Sequence, residues 1–87
     1  MSRILPLGEK ANLATGIGNS TTVTNATVVR VLSTSGAAVV IRTDSSGAIV
    51  GSFTTLNNSA ELVEKKPSDF IYVTGNAVEV AKVGFTN

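Results

Sequence analysis

From Asn25 to the end of the chain, short β-branched runs alternate with turn chemistry roughly every ten residues, a rhythm that suits strands and leaves no room for ordinary helices. Residues 25–33 open the series, and Thr34-Ser35-Gly36 closes that run with a glycine free to take a positive φ. Residues 37–43 follow and exit into Asp44-Ser45-Ser46-Gly47. There the Asp side chain can bond the backbone two residues on, and Gly supplies the left-handed position of a hairpin. In residues 48–56 the alternation puts Ile49 and Phe53 on one face, with Gly51 between them marking a bulge or a close backbone approach. Residues 60–66 are short and end at Pro67, so they read as an exposed strand rather than a helical turn. Residues 70–74 form an aromatic and β-branched strand ended by Gly75-Asn76. Along residues 77–85, Val78 and Val80 face inward against Glu79, and a change of face after Ala81 brings Val83 and Phe85 inward as well.

Composition supports the same class. Twelve Val, eleven Thr and nine Ser stand against six Leu, so β-branched and small polar residues outweigh the helix builders. The expected fold is all-β, a small antiparallel β-sandwich or barrel of about six to seven strands. Residues 1–24 differ in kind: Gly8, Asn12, Gly16, Gly18, Asn19 and Ser20-Thr21-Thr22 break every period. Only Val23-Thr24 and the stretch from Ile4 to Leu7 read as strand there. The expectation is an extended N-terminal arm over residues 1–24, lying along a neighbouring subunit or mobile without one, ahead of a β-sandwich domain over residues 25–87.

The 87 residues include no Cys, His or Trp, which removes Cys and His nucleophile pairs, Ser-His-Asp triads, thiolate zinc sites and imidazole ligands from a single chain. An enzyme is the least expected class, and no cofactor is expected. A chain this short builds a modest core, for which packing into an assembly is a common remedy. Seven basic and six acidic residues are spread along the sequence for a net charge of +1, which argues against a nucleic-acid or anionic-membrane surface. No apolar run approaches the roughly 18 to 20 residues of a membrane span. The opening residues interrupt their apolar run at Gly8 and Glu9 and do not read as a signal peptide.

Several short patterns invite chemistry and fit plainer roles better. Gly16-Ile17-Gly18 lacks the third glycine and the Lys-Ser/Thr ending of a phosphate loop, so a flexible arm explains it. Asp44-Ser45-Ser46-Gly47 offers one carboxylate where a calcium loop needs several, so a hairpin turn explains it. Glu61, Glu64 and Asp69 could pair as glycosidase acids, yet they alternate with Lys65 and Lys66 around Pro67, as a solvated and guarded sheet edge would. The Asn-x-Ser/Thr matches at Asn19, Asn25 and Asn57 are no more than such a composition gives by chance. Phe70 and Tyr72 share one face of their strand, with Ile71 and Val73 on the other. A strand apolar on both faces is covered twice, by the core and by a neighbour or the arm, or else is a central strand whose Tyr hydroxyl reaches solvent. Ile4, Leu5, Leu7, Phe70 and Tyr72 are therefore the candidate partner-binding residues.

Residues 20–87 resemble small virion structural proteins of marine tailed bacteriophages, notably those infecting cyanobacteria. The resemblance rests on Asn25-Ala26-Thr27-Val28-Val29-Arg30-Val31, Ile41-Arg42-Thr43-Asp44, Gly51-Ser52-Phe53-Thr54, Glu64-Lys65-Lys66-Pro67-Ser68-Asp69 and Ala81-Lys82-Val83-Gly84-Phe85. It implies a non-enzymatic virion component, most concretely a capsid decoration or cement protein whose partner is the major capsid protein or another virion protein. A tail, neck or fibre-associated protein and, more weakly, a carbohydrate-binding module are the alternatives. A homo-oligomer or symmetric assembly is expected, located in the virion after assembly in the host cytoplasm.

Overall fold

The computed structural model describes residues 3–86; Met1, Ser2 and Asn87 lie outside the described residues, as do the side chains of Arg3, Phe85 and Thr86. The strands, in chain order, are β1 (Arg3–Pro6), β2 (Ala11–Leu13), β3 (Val28–Ser33), β4 (Ala38–Thr43), β5 (Ile49–Thr55), β6 (Ala60–Glu64), β7 (Phe70–Thr74) and β8 (Val78–Thr86). A single 3₁₀ turn, Ile17–Asn19, is the only helical element among the described residues. The strands form two antiparallel sheets. The first runs β1-β8-β3-β6, with β2 following β1 along β8, and the second runs β5-β4-β7.

The alternation of the sequence decides which side chains meet. Val29, Val31 and Ser33 of β3 are buried while Val28, Arg30 and Leu32 between them are not, the period-two pattern of a strand with one covered face. Val63, Val78, Val80 and Leu13 join them from the first sheet, and Ala38, Val40, Ile71 and Val73 face them from the second. Burying a side chain of this size stabilises by about 1.5 to 3 kcal/mol, so a handful of Val and Ile carries most of the apolar contribution. Turn chemistry sets the connections. Asp44 Oδ1 accepts from the Ser46 N–H at 2.9 Å, the Ser46 hydroxyl at 2.6 Å and the Ala48 N–H at 3.0 Å, which closes the β4–β5 hairpin. Gly36, at φ 137°, sits so close to Asn76 that a Cβ there would fall 2.6 Å from its Nδ2.

The N-terminal segment is not an arm standing apart from the sandwich. β1 pairs with β8 from Arg3 opposite Thr86 to Pro6 opposite Val83, and β2 continues along β8 from Ala11 opposite Val80 to Leu13 opposite Val78. Thr15 and Thr21 then bridge to Val73 and Ile71 of β7, through bonds such as Gly16 N–H to the Val73 carbonyl at 2.8 Å and Ile71 N–H to the Thr21 carbonyl at 2.9 Å. Leu13 and Val23 belong to the core. This segment is held by backbone pairing, which a Gly- and Asn-rich sequence can supply without any side-chain period.

Two local expectations also change. Val23-Thr24 is not strand: Val23, Thr24 and Asn25 all have φ between 53° and 56°, a left-handed turn closed by the Ala26 N–H to the Thr22 carbonyl at 3.2 Å. Ile49 and Phe53 do not share a face. Register passes from Arg42 opposite Gly51 to Thr43 opposite Ile49, so Val50 is the extra residue of a bulge, and the bulge places Ile49 on the Thr43 side and Phe53 on the Val40 side. In the last strand Val78, Val80 and Val83 are all buried, Val78 and Val80 within the central core cluster, and the side chain of Phe85, expected inward, lies outside the described residues.

Candidate functional site

The polar patterns are used up by structure. Asp44 spends its carboxylate on the hairpin turn, and the Ser46 hydroxyl bond, foremost, holds its pKa below the ordinary value. Around the 3₁₀ turn, Asn19 Nδ2 donates to the Thr15 carbonyl at 2.9 Å and the Ser20 hydroxyl to the Ile17 carbonyl at 2.6 Å, so these groups are bonded locally. Among the described residues no group of three or more acidic residues converges on a metal-sized site. No helix of the described chain is long and apolar enough to cross a membrane.

The acidic stretch after β5 departs from the solvated edge the sequence suggested. Glu61 and Glu64 are exposed on β6, the last strand of its sheet, and Lys66 and Pro67 are exposed just beyond it. Lys65 and Asp69, however, are buried. Asp69 accepts the Lys66 N–H at 3.1 Å and lies 3.4 Å from an Arg42 guanidinium nitrogen, while Lys65 Nζ donates to the Lys66 carbonyl at 3.2 Å. Burial pushes the Lys65 pKa down, and the nearby Asp69 charge offsets part of that shift. This cluster pins the β6–β7 connection to β4.

The surface that remains available is apolar and lies on sheet edges. The candidate partner residues divide. Ile4, Leu5 and Leu7 are exposed around β1, whereas Tyr72 is only 7% exposed and Phe70 is half-buried. Residues 15–21 run along β7, so the strand with two apolar faces is an edge strand closed by the chain's own N-terminal segment rather than a central one. Leu7 lies over Gly84, where an added Cβ would come within 3.1 Å of the Leu Cδ1.

β5 was missed as a surface, although its signal is plain in the sequence. From Ser45 to Ala60 there is no charged residue, and β5 is exposed along its length up to the buried Thr55. Ile49 is 64% exposed, Val50 52% and Phe53 37%, and Leu56 is exposed beyond the strand. Between β5 and β6 the two sheets part to leave a groove of about 190 Å³, walled by Val40, Gly51, Phe53 and Val63 and rimmed by Arg42 and Glu64. An uncovered, uncharged and apolar edge strand is a template for pairing with another chain. No family model, curated protein or solved structure matches the chain.

Proposed function

We propose that the protein is a non-enzymatic structural component of a phage virion, a capsid decoration or cement protein that binds the major capsid lattice. The observation that carries this reading is the placement of large apolar side chains on edge strands. Ile4 and Leu5 are consecutive on β1, so both faces of that strand expose an apolar side chain, and β5 exposes Ile49, Val50 and Phe53. Such edges are a liability in a free monomer and an asset in a protein held among neighbours. The phage resemblance of residues 20–87 supplies the kind of assembly.

The mechanism follows from repetition. Each β1 contact is small, but copies bound side by side on a repeating shell act together, so attachment comes from many weak contacts rather than one deep pocket. A protein that binds the assembled lattice better than free subunits stabilises the lattice by linkage. Quantitative mass spectrometry of purified parent particles, with cryo-microscopy, tests the reading: copies in the hundreds over the head are expected. A handful to dozens at the neck or tail would overturn the shell assignment, and absence from the particle would overturn the virion reading itself.

A further inference from the structure

We propose that β5 is a self-pairing edge: two copies of the chain join their β5 strands antiparallel about a two-fold axis at Phe53, making one continuous sheet from the β5-β4-β7 sheets of both copies. The backbone fixes which groups are free to do this. Asp44 donates its N–H to the Ala48 carbonyl at 2.9 Å and accepts the Gly47 N–H at 3.0 Å, so its backbone faces β5. Alternation along β4 then turns Arg42, Val40 and Ala38 the same way, toward their partners Gly51, Phe53 and Thr55. The N–H and C=O groups of Ser52 and Thr54 therefore point out of the sheet edge, where no strand among the described residues pairs with them.

Register selects the axis. Centring it on Phe53 sets Ser52 opposite Thr54 of the second copy and Thr54 opposite its Ser52, so all outward groups of both residues are bonded. Centring it on Ser52 runs the pairing into the bulge at Val50, and centring it on Thr54 runs it past Thr55 into the turn at Leu56. With the axis on Phe53, the two Phe rings lie side by side on the groove face, an aromatic cross-strand pair, and the Ser52 and Thr54 hydroxyls meet on the other face. Gly51 leaves the neighbouring space open, since a Cβ there would touch nothing within 4 Å.

Charge identifies the occupant as a second copy. A two-fold contact brings together two strands of identical net charge, so a strand that carries a net charge is repelled by its own copy. Residues 45–60 carry none. β6, the last strand of the other sheet, carries two exposed carboxylates, Glu61 and Glu64, in five residues and would be repelled by a second copy of itself. One strand pair with a Phe contact is at the small end of specific interfaces, so the dimer is weak in dilute protein and strengthened where copies are held close together. This inference stands on the isolated protein and does not depend on where the protein resides.

Because the chain has no cysteine, one introduced thiol reads the contact directly. In a narrow antiparallel pair the facing Cα atoms are about 4.5 Å apart, within disulfide range. Under mild oxidation full-length Phe53→Cys is expected to become a covalent dimer, while Leu62→Cys on β6, also exposed, stays monomeric. Sedimentation of the unaltered protein should rise from 8.9 kDa toward twice that mass with concentration, and Phe53→Lys should hold it at the monomer mass while keeping the β circular dichroism. Equal cross-linking of both cysteine variants, no cross-linking of Phe53→Cys, or an unaltered mass of 8.9 kDa at every concentration would overturn the proposal.

Discussion

The β5-β4-β7 sheet has two edges, and the chain treats them oppositely. Along β7, residues 15–21 supply backbone partners, Ile71 and Val73 are fully buried, and even Tyr72 is largely covered. Along β5 nothing among the described residues pairs on the outside, and Ile49, Val50 and Phe53 are exposed. β6, an edge of the other sheet, uses a third solution, exposed Glu61 and Glu64 with Lys66 and Pro67 beyond. A chain that closes one edge with its own backbone and guards another with charge has the means to blunt a third. That β5 is left uncharged and uncovered assigns it to pairing rather than to protection.

The sharpest way to break the comparison is to make the same deletion at both edges. Ile71→Ala removes a side chain with no exposed surface and is expected to cost about 4 kcal/mol, enough to unfold much of a small domain. Ile49→Ala removes a side chain that is 64% exposed and is expected to change monomer stability by no more than about 0.5 kcal/mol. Urea denaturation at low protein concentration measures both; comparable losses would show that β5 is packed rather than open.

Next in size is the pin beside β6. Asp69→Ala leaves Lys65 buried without its neighbouring carboxylate and the Lys66 N–H without its acceptor. Because Arg42 is partly solvated the expected cost is moderate, about 2 kcal/mol in the same denaturation experiment. A neutral result would mean that Asp69 is a surface group, as the charge pattern alone suggests.

The contrast between those two substitutions shows what the sequence discloses. The runs and turns from Asn25 onward were legible because alternation and Asp/Gly turn chemistry are local properties. Phe70 to Thr74 and the exposed strand before Pro67 appear where the pattern puts them. In the N-terminal segment the strand at Ile4 was legible, but the rest was not, since β2 is ordered along β8 and Thr15 and Thr21 bridge to β7, strands fifty or more residues away. Nor was the burial of Lys65 and Asp69, at a corner where Arg42 from another strand meets Asp69. The bulge itself was signalled by Gly51, but its place at Val50 and the face it gives Ile49 were not, because they are properties of the pairing with β4 and not of β5 alone. The open edge itself was visible as an uncharged stretch, but its exposure was not, because an apolar run reads as core until the neighbouring strands are placed.

Smaller effects refine the picture at the two ends of β5. Thr55 Oγ1 is buried without a hydrogen-bond partner, so Thr55→Val should raise stability by about 1 kcal/mol; a loss would reveal a bond the hydroxyl makes. At the other end, the Asp44 carboxyl is held below its ordinary value of 3.8, chiefly by the Ser46 hydroxyl. A group depressed in the fold stabilises it above its unfolded pKa and loses that contribution as pH falls through the folded value. The Ser46 and Ala48 amides should therefore loosen below about pH 3.8 in an NMR titration, and Asp44→Asn should remove that pH dependence. Loosening that sets in well above that pH would contradict the assignment.

Amide hydrogen exchange read residue by residue along β5, in dilute and in concentrated protein, is the most direct test of the open edge. Ser52 and Thr54 should exchange quickly in dilute protein and become protected as concentration rises, while Phe53, bonded to β4, changes little. Protection of Ser52 and Thr54 already complete in dilute monomer, or absent at every concentration, would contradict a β5 edge that is free in one copy and paired in two.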